Sequence, residues 1–154
     1  MNIKKNIILL SFFFLLSCSK NENCDAVKIS APASEINNLR DYLTNNGITA
    51  TEDSRGFFYT IVTAGIGDNP NICSSVTVNY EGKLVDGTTF DSGSNLSFSL
   101  DGLIIGWQEG IPLLAPGGEI ILYLPPALAY GSNGAGSIPG NSNLIFTIDL
   151  IKVN

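Results

Sequence analysis

The rhythm of apolar positions changes along this chain and divides it into segments. Ile36, Leu39 and Leu43 recur at helical spacing, with Ser34 placed to cap the start and Gly47 to stop the run. From Gly56 the pattern turns to strands, first in GFFYTIVTAG and then, after a Gly/Asn/Pro turn over residues 67–71, in SSVTVNYEGKL. There Val76, Val78, Tyr80, Gly82 and Leu84 alternate with polar residues, and Asp86-Gly87 marks a reversal. LSFSL reads as a further short strand. Ile104, Trp107, Ile111 and Leu114 return to helical spacing in a piece that Pro112 keeps short. GGEIILYLP and SNLIFTIDLIKV are the last two strands, joined by the loop SNGAGSIPGN. Strands with one short helix inserted before the last two predict an α+β fold, an antiparallel sheet wrapped on that helix, with another short helix ahead of it.

Length and composition restrict the function. A chain of 154 residues has room for one domain and an extension. Its 8 basic residues are scattered and its net charge is −6, so no basic patch exists to neutralise phosphates and no nucleic-acid partner is expected. Histidine is absent, which removes the Ser-His-Asp and Cys-His relays and every imidazole metal ligand. The acids are spread out and suggest no paired-carboxylate site; neither metal nor cofactor is expected. GSNGAGS, from Gly131, superficially resembles a phosphate-cradling loop but matches neither of the glycine spacings such loops use. It lacks the lysine and leads into Ile138-Pro139 rather than a helix, and so reads as a plain flexible loop.

The N-terminus reads as an address. Lys4 and Lys5 precede an apolar core from Ile7 to Leu16, too short for the roughly 20 residues of a membrane span and suited to a secretory signal. Leu15-Leu16-Ser17-Cys18 resembles the lipobox of bacterial lipoproteins, which implies lipidation of Cys18 and anchoring in the cell envelope, facing either the periplasm or the surface. Export would place Cys24 and Cys73 where a disulfide persists, and these two are candidates to pair. The expected organisation is a signal peptide over 1–17, a tether over 18–33, a helical extension over 34–55 and the main domain over 56–154.

VTVNYEGKLVDGTTFDSG, LIIGWQEGIPLLAPGGEIILYLPPALAYG and SIPGNSNLIFTIDLIKV, in this order and spacing, resemble the FKBP-type peptidyl-prolyl cis-trans isomerases from Gly56 to Val153. The resemblance implies a half-barrel sheet around one short helix. It also implies a pocket for a proline ring with Trp107 as floor. Tyr80, Phe90, Leu103, Ile104, Tyr130 and Phe146 would be its walls, with Ile138 on the following loop. Asp91 matches the family's acid and, with Tyr130, is the candidate catalytic pair: Tyr130 would donate its hydroxyl to a substrate carbonyl, while Asp91 would orient Tyr80 or polarise the twisting amide. Leu96 is a further candidate substrate contact, at a position where many members carry a phenylalanine. Phe98 suits either core or pocket and is placed with the core, while Leu84, Leu122, Leu124, Leu144 and Ile148 are core residues.

The implied activity is isomerisation of X-Pro bonds in exported proteins by a monomer, with proline-containing polypeptides as substrates and a macrolide as a possible inhibitor. The alternative is a non-catalytic module of the envelope that binds proline-containing segments as a chaperone or adaptor. A purely structural envelope lipoprotein would have no use for a coherent pocket.

Overall fold

The computed structural model describes Cys24 and residues 27–154. The signal, the lipobox and Cys18 lie outside the described residues. Among those described, no helix is long and apolar enough to cross a membrane.

Six antiparallel strands form one sheet in the order β1-β2-β5-β6-β3-β4. They are β1 (Thr51–Glu52), β2 (Phe58–Thr63), β3 (Ser75–Leu84), β4 (Thr89–Ser99), β5 (Gly118–Leu124) and β6 (Leu144–Val153). Alternation decides the faces. Leu144, Phe146, Ile148 and Leu150 of β6 and Val76 and Val78 of β3 are buried on the inner face. The inner face holds helix α2 (Ile105–Gly110), which continues into a 3-10 turn over Ile111–Leu113. Trp107, Ile111 and Leu114 are buried there, as their spacing predicts. Gly106 and Gly110 let this helix approach β5 closely: a Cβ at Gly110 would stand 2.6 Å from Leu122 Cδ1, and one at Gly106 would overlap Leu124.

Helix α1 (Ala33–Asn45) covers the opposite face, where its Leu39 and Leu43 pack with Phe58 and Tyr123. It starts two residues earlier than expected, with Pro32 rather than Ser34 at the cap position and no side-chain cap. The Pro32 carbonyl accepts the N–H groups of Glu35 and Ile36, and Ser34 falls inside the first turn. Gly47, at φ 65°, does end the run.

Two further expectations are revised. LSFS is the end of the 11-residue β4, which runs on from the Phe90-Asp91 segment across a register shift opposite Val78 and Tyr80, and Leu100 opens the 3-10 turn that follows. Asn95 is at φ 55° near that shift, and its N–H donates to Asn79 Oδ1 at 2.8 Å. The 132–141 loop is bonded rather than plain: Ala135 and Ile138 exchange backbone hydrogen bonds of 3.0 and 2.8 Å, and Ile138 is buried. Leu122, Leu124, Leu144 and Ile148 are buried as assigned, while Leu84, at the end of β3, is half-buried.

Cys24 and Cys73 are joined by a disulfide with their Cα atoms 5.3 Å apart, within the usual span of such bridges.

Candidate functional site

A cavity of about 150 Å³ opens between β3, β4, β6, the start of α2 and the segment after β5. Trp107 is 5% exposed and three rings meet it edge-to-face: Tyr80 at 5.1 Å, Phe146 at 5.3 Å and Phe98 at 6.1 Å between centroids. Such ring pairs contribute about 0.5–1.5 kcal/mol each beyond their buried area, so the floor is stiff. The buried indole N–H has no hydrogen-bond partner among the described residues. Leu103 and Ile104 form the side next to α2. Their segment is held by Gln108, whose Nε2 donates to the Leu103 carbonyl at 2.8 Å and the Asp101 carbonyl at 3.2 Å. The Ile104 carbonyl accepts the N–H groups of Trp107 and Gln108, while no backbone acceptor takes its own N–H among the described residues.

One carboxylate enters this apolar box. β3–β4 pairing sets Gly82 opposite Asp91 and Gly93 opposite Tyr80, which brings the two side chains together. The Tyr80 hydroxyl donates to Asp91 Oδ2 at 2.7 Å, and the Ser92 N–H to Oδ1 at 2.9 Å. Of the two roles the sequence left open for Asp91, orienting Tyr80 is the one visible in the geometry. Burial, then the hydrogen bond and charge of Asp91, push the Tyr80 hydroxyl from 10.0 up to about 12. Burial and the charge of Asp91 also raise Tyr130.

The sign follows from linkage. A group whose pKa is higher folded than unfolded stabilises the fold fully below its unfolded value and loses that contribution as pH rises through the folded one. The Tyr80–Asp91 bond is therefore complete up to about pH 10 and lost near 12. In an alkaline spectroscopic titration read against Tyr80→Phe, Tyr80 should ionise near the upper value. Asp91→Asn should bring it down part of the way, since burial remains. An unchanged midpoint in that variant would contradict the coupling.

The structure brings together seven of the residues expected at the site: Tyr80, Asp91, Leu103, Ile104, Trp107, Tyr130 and Phe146. Phe98, assigned to the core, is an eighth and forms a wall. Phe90 and Ile138 instead line an adjoining hollow that shares Asp91 and Tyr130 and is bounded by Ala135, Gly136 and Ser137. Phe90 braces the first cavity from behind, edge-to-face with Phe146 at 5.5 Å. Leu96 is 42% exposed and lines neither; it lies over Gly93 beside the Tyr80 ring, two residues short of the wall position that Phe98 takes. Gln108 was missed, although a polar residue beside Trp107 in a short apolar helix was a signal. No group of three metal-ligating side chains occurs among the described residues.

A sheet wrapped on one short helix, with an aromatic pocket holding a single acid, defines a class. The family model of the FKBP-type peptidyl-prolyl cis-trans isomerases matches residues 67–151, more than half of the chain, and the chain belongs to that family. It is 47% identical over 104 residues to the FKBP-type peptidyl-prolyl cis-trans isomerase FkpA of Escherichia coli strain K12, covering 65% of this chain and 38% of that protein. It is 44% identical over 105 residues to the peptidyl-prolyl cis-trans isomerase Mip of Coxiella burnetii, covering 65% and 46%. The chain thus spans less than half the length of these relatives. The crystal structure of FkpA from Escherichia coli superposes with a TM-score of 0.72 at 40% identity, covering 79% of this chain and 60% of that one. A peptidyl-prolyl cis-trans isomerase from Pseudomonas syringae pv. tomato gives 0.70 at 32% identity, covering 81% and 98%.

Proposed function

We propose that this protein accelerates cis-trans rotation about X-Pro bonds, with the prolyl ring seated on Trp107. The observation that carries the reading is a mainly apolar, aromatic cavity of one-ring size whose single carboxylate is already bonded to Tyr80 and its own strand. An X-Pro bond rotates slowly because twisting breaks the amide's partial double bond, a barrier of about 18–20 kcal/mol. Water favours the polar planar form, and an apolar box favours the twisted form relatively more. The hydroxyl of Tyr130 and the N–H of Ile104 would hold the flanking carbonyls. No bond to the protein forms, so the inventory without histidine is sufficient.

The test is cis-to-trans conversion of a short X-Pro peptide by protein starting at Ser19. Acceleration should fall about tenfold in Tyr130→Phe and at least as much in Asp91→Ala, as the loss of one hydrogen bond from a transition state predicts. Folded protein that binds the peptide without accelerating it would instead be a proline-segment-binding module. A macrolide presenting a proline-like ring should compete for the same cavity.

The envelope assignment belongs to the same proposal. Residues 1–17 would be removed, Cys18 lipidated, 18–33 act as tether, 34–55 as helical extension and 56–154 as the isomerase domain of a monomer. The apolar run before Leu15-Leu16-Ser17-Cys18 supports this. Fatty-acid labelling lost in Cys18→Ser would support it further, and labelling that survives would refute it.

A further inference from the structure

The segment from Ala33 to Gly56 lies outside the matched family region of 67–151, yet it contacts two elements that carry pocket residues, α2 and the segment leading to Tyr130. On one side Arg55 pairs with Glu109, two residues beyond Trp107 on α2. On the other, the Ala127 N–H donates to Glu35 Oε2 at 2.8 Å across 92 residues of sequence. Ala127 belongs to the 3-10 turn Pro126–Leu128, and Pro126 has no N–H, so the Ala127 N–H is the first donor of that turn. The Pro126 carbonyl then accepts the N–H groups of Ala129 at 3.0 Å and Gly131 at 2.8 Å, with Tyr130 between them. Glu35 therefore grips the start of the short closed segment that carries Tyr130. Docking of α1 does not need it, because Leu39 and Leu43 already pack against Phe58 and Tyr123.

We propose that Glu35 is a positioning residue for Tyr130: from α1 it fixes the 126–131 segment and so the place of the Tyr130 hydroxyl at the pocket rim. The inference rests on the reading of Tyr130 as a substrate-carbonyl donor, and it assigns a role in the site to the extension that precedes the family region.

The decisive experiment is a double-mutant cycle on the whole chain from Ser19. Glu35→Ala should lower kcat/KM about five- to tenfold, through misplacement of one hydrogen-bond donor, with little change in melting temperature. Glu35→Gln keeps an oxygen that can accept the Ala127 N–H and should recover most of the loss. In a Tyr130→Phe background, Glu35→Ala should change kcat/KM less than twofold. Equal falls in both backgrounds, or a glutamine no better than alanine, would overturn the proposal. The ring resonances of Tyr130 give a readout independent of turnover. They should shift in Glu35→Ala while those of Tyr59 stay, and an unmoved Tyr130 ring would also overturn it. Should the wild type bind proline without accelerating rotation while the Tyr130 ring still moves, the isomerase reading falls and the positioning role stands.

Discussion

Trp107→Ala is expected to remove measurable acceleration and to lower stability by about 3–5 kcal/mol, the usual result of truncating a large buried aromatic residue. That is a large share of the roughly 5–15 kcal/mol that holds a domain of this size together. Trp107 is 5% exposed and is the ring that Tyr80, Phe98 and Phe146 all meet edge-on. It stands on a helix of six residues pressed against β5 at Gly106 and Gly110, so the backbone has little freedom to collapse into the space left behind. Without the floor the proline ring would lose its apolar contact, and Tyr80 would lose the neighbour that orients its ring towards Asp91. Trp107→Phe separates the two effects. It should stay folded with an intermediate rate, whereas the alanine variant melts earlier and is inactive even below its melting temperature. Circular dichroism follows the melt, since the sole tryptophan is gone. Wild-type rates from Trp107→Ala would show that the proline ring binds elsewhere.

What the sequence made legible was whatever repeats locally. Strands β3 and β6 announce themselves by alternation, and Trp107, Ile111 and Leu114 by helical spacing; each falls on the buried side as its period requires. The pocket set was legible only through family resemblance, because nothing in a strand's own pattern tells a core aromatic from a wall aromatic. Leu96 and Phe98 show the limit. They share a face of β4, and the bend near Asn95 leaves Leu96 over Gly93 while Phe98 reaches Trp107. The contact of Glu35 with the Ala127 N–H spans 92 residues and leaves no local trace at either end. Ser34 misled because a good cap residue stands at the second position of a helix that Pro32 caps. The 132–141 loop looked featureless since its order comes from main-chain bonds, to which small residues are indifferent.

Reducing the Cys24–Cys73 disulfide is expected to lower stability by about 2–4 kcal/mol, or roughly 10 °C in Tm, and to leave the rate per folded molecule unchanged. The two cysteines are 49 residues apart, and closing a loop of that length removes about 4 kcal/mol of chain entropy from the unfolded state in the simplest treatment. Every residue lining the cavity is C-terminal to Cys73, and α1, which lies in the loop and carries Glu35, keeps its place without the bridge through Leu39 and Leu43 packed with Phe58 and Tyr123. Cys73 also stands in a turn ordered without the bridge: its N–H donates to Asn71 Oδ1 at 2.9 Å, and the Asn71 N–H to Ser74 Oγ at 3.0 Å. From that turn the Ser74 carbonyl accepts the Leu100 N–H at 3.1 Å, so the strand entering the pocket wall keeps its anchor after reduction. Thermal melts with and without dithiothreitol, beside a Cys24→Ser/Cys73→Ser variant, measure the stability, and the X-Pro assay at 25 °C measures the rate. A fall in rate matching the fall in stability would place the disulfide within the pocket's support. A melt unmoved by reduction would mean that the bridge constrains nothing the unfolded chain is free to explore. A bridge that stabilises the fold and is indifferent to the chemistry suits a protein that works in an oxidising compartment, where it would stay closed, and it fits the exported location proposed for this chain.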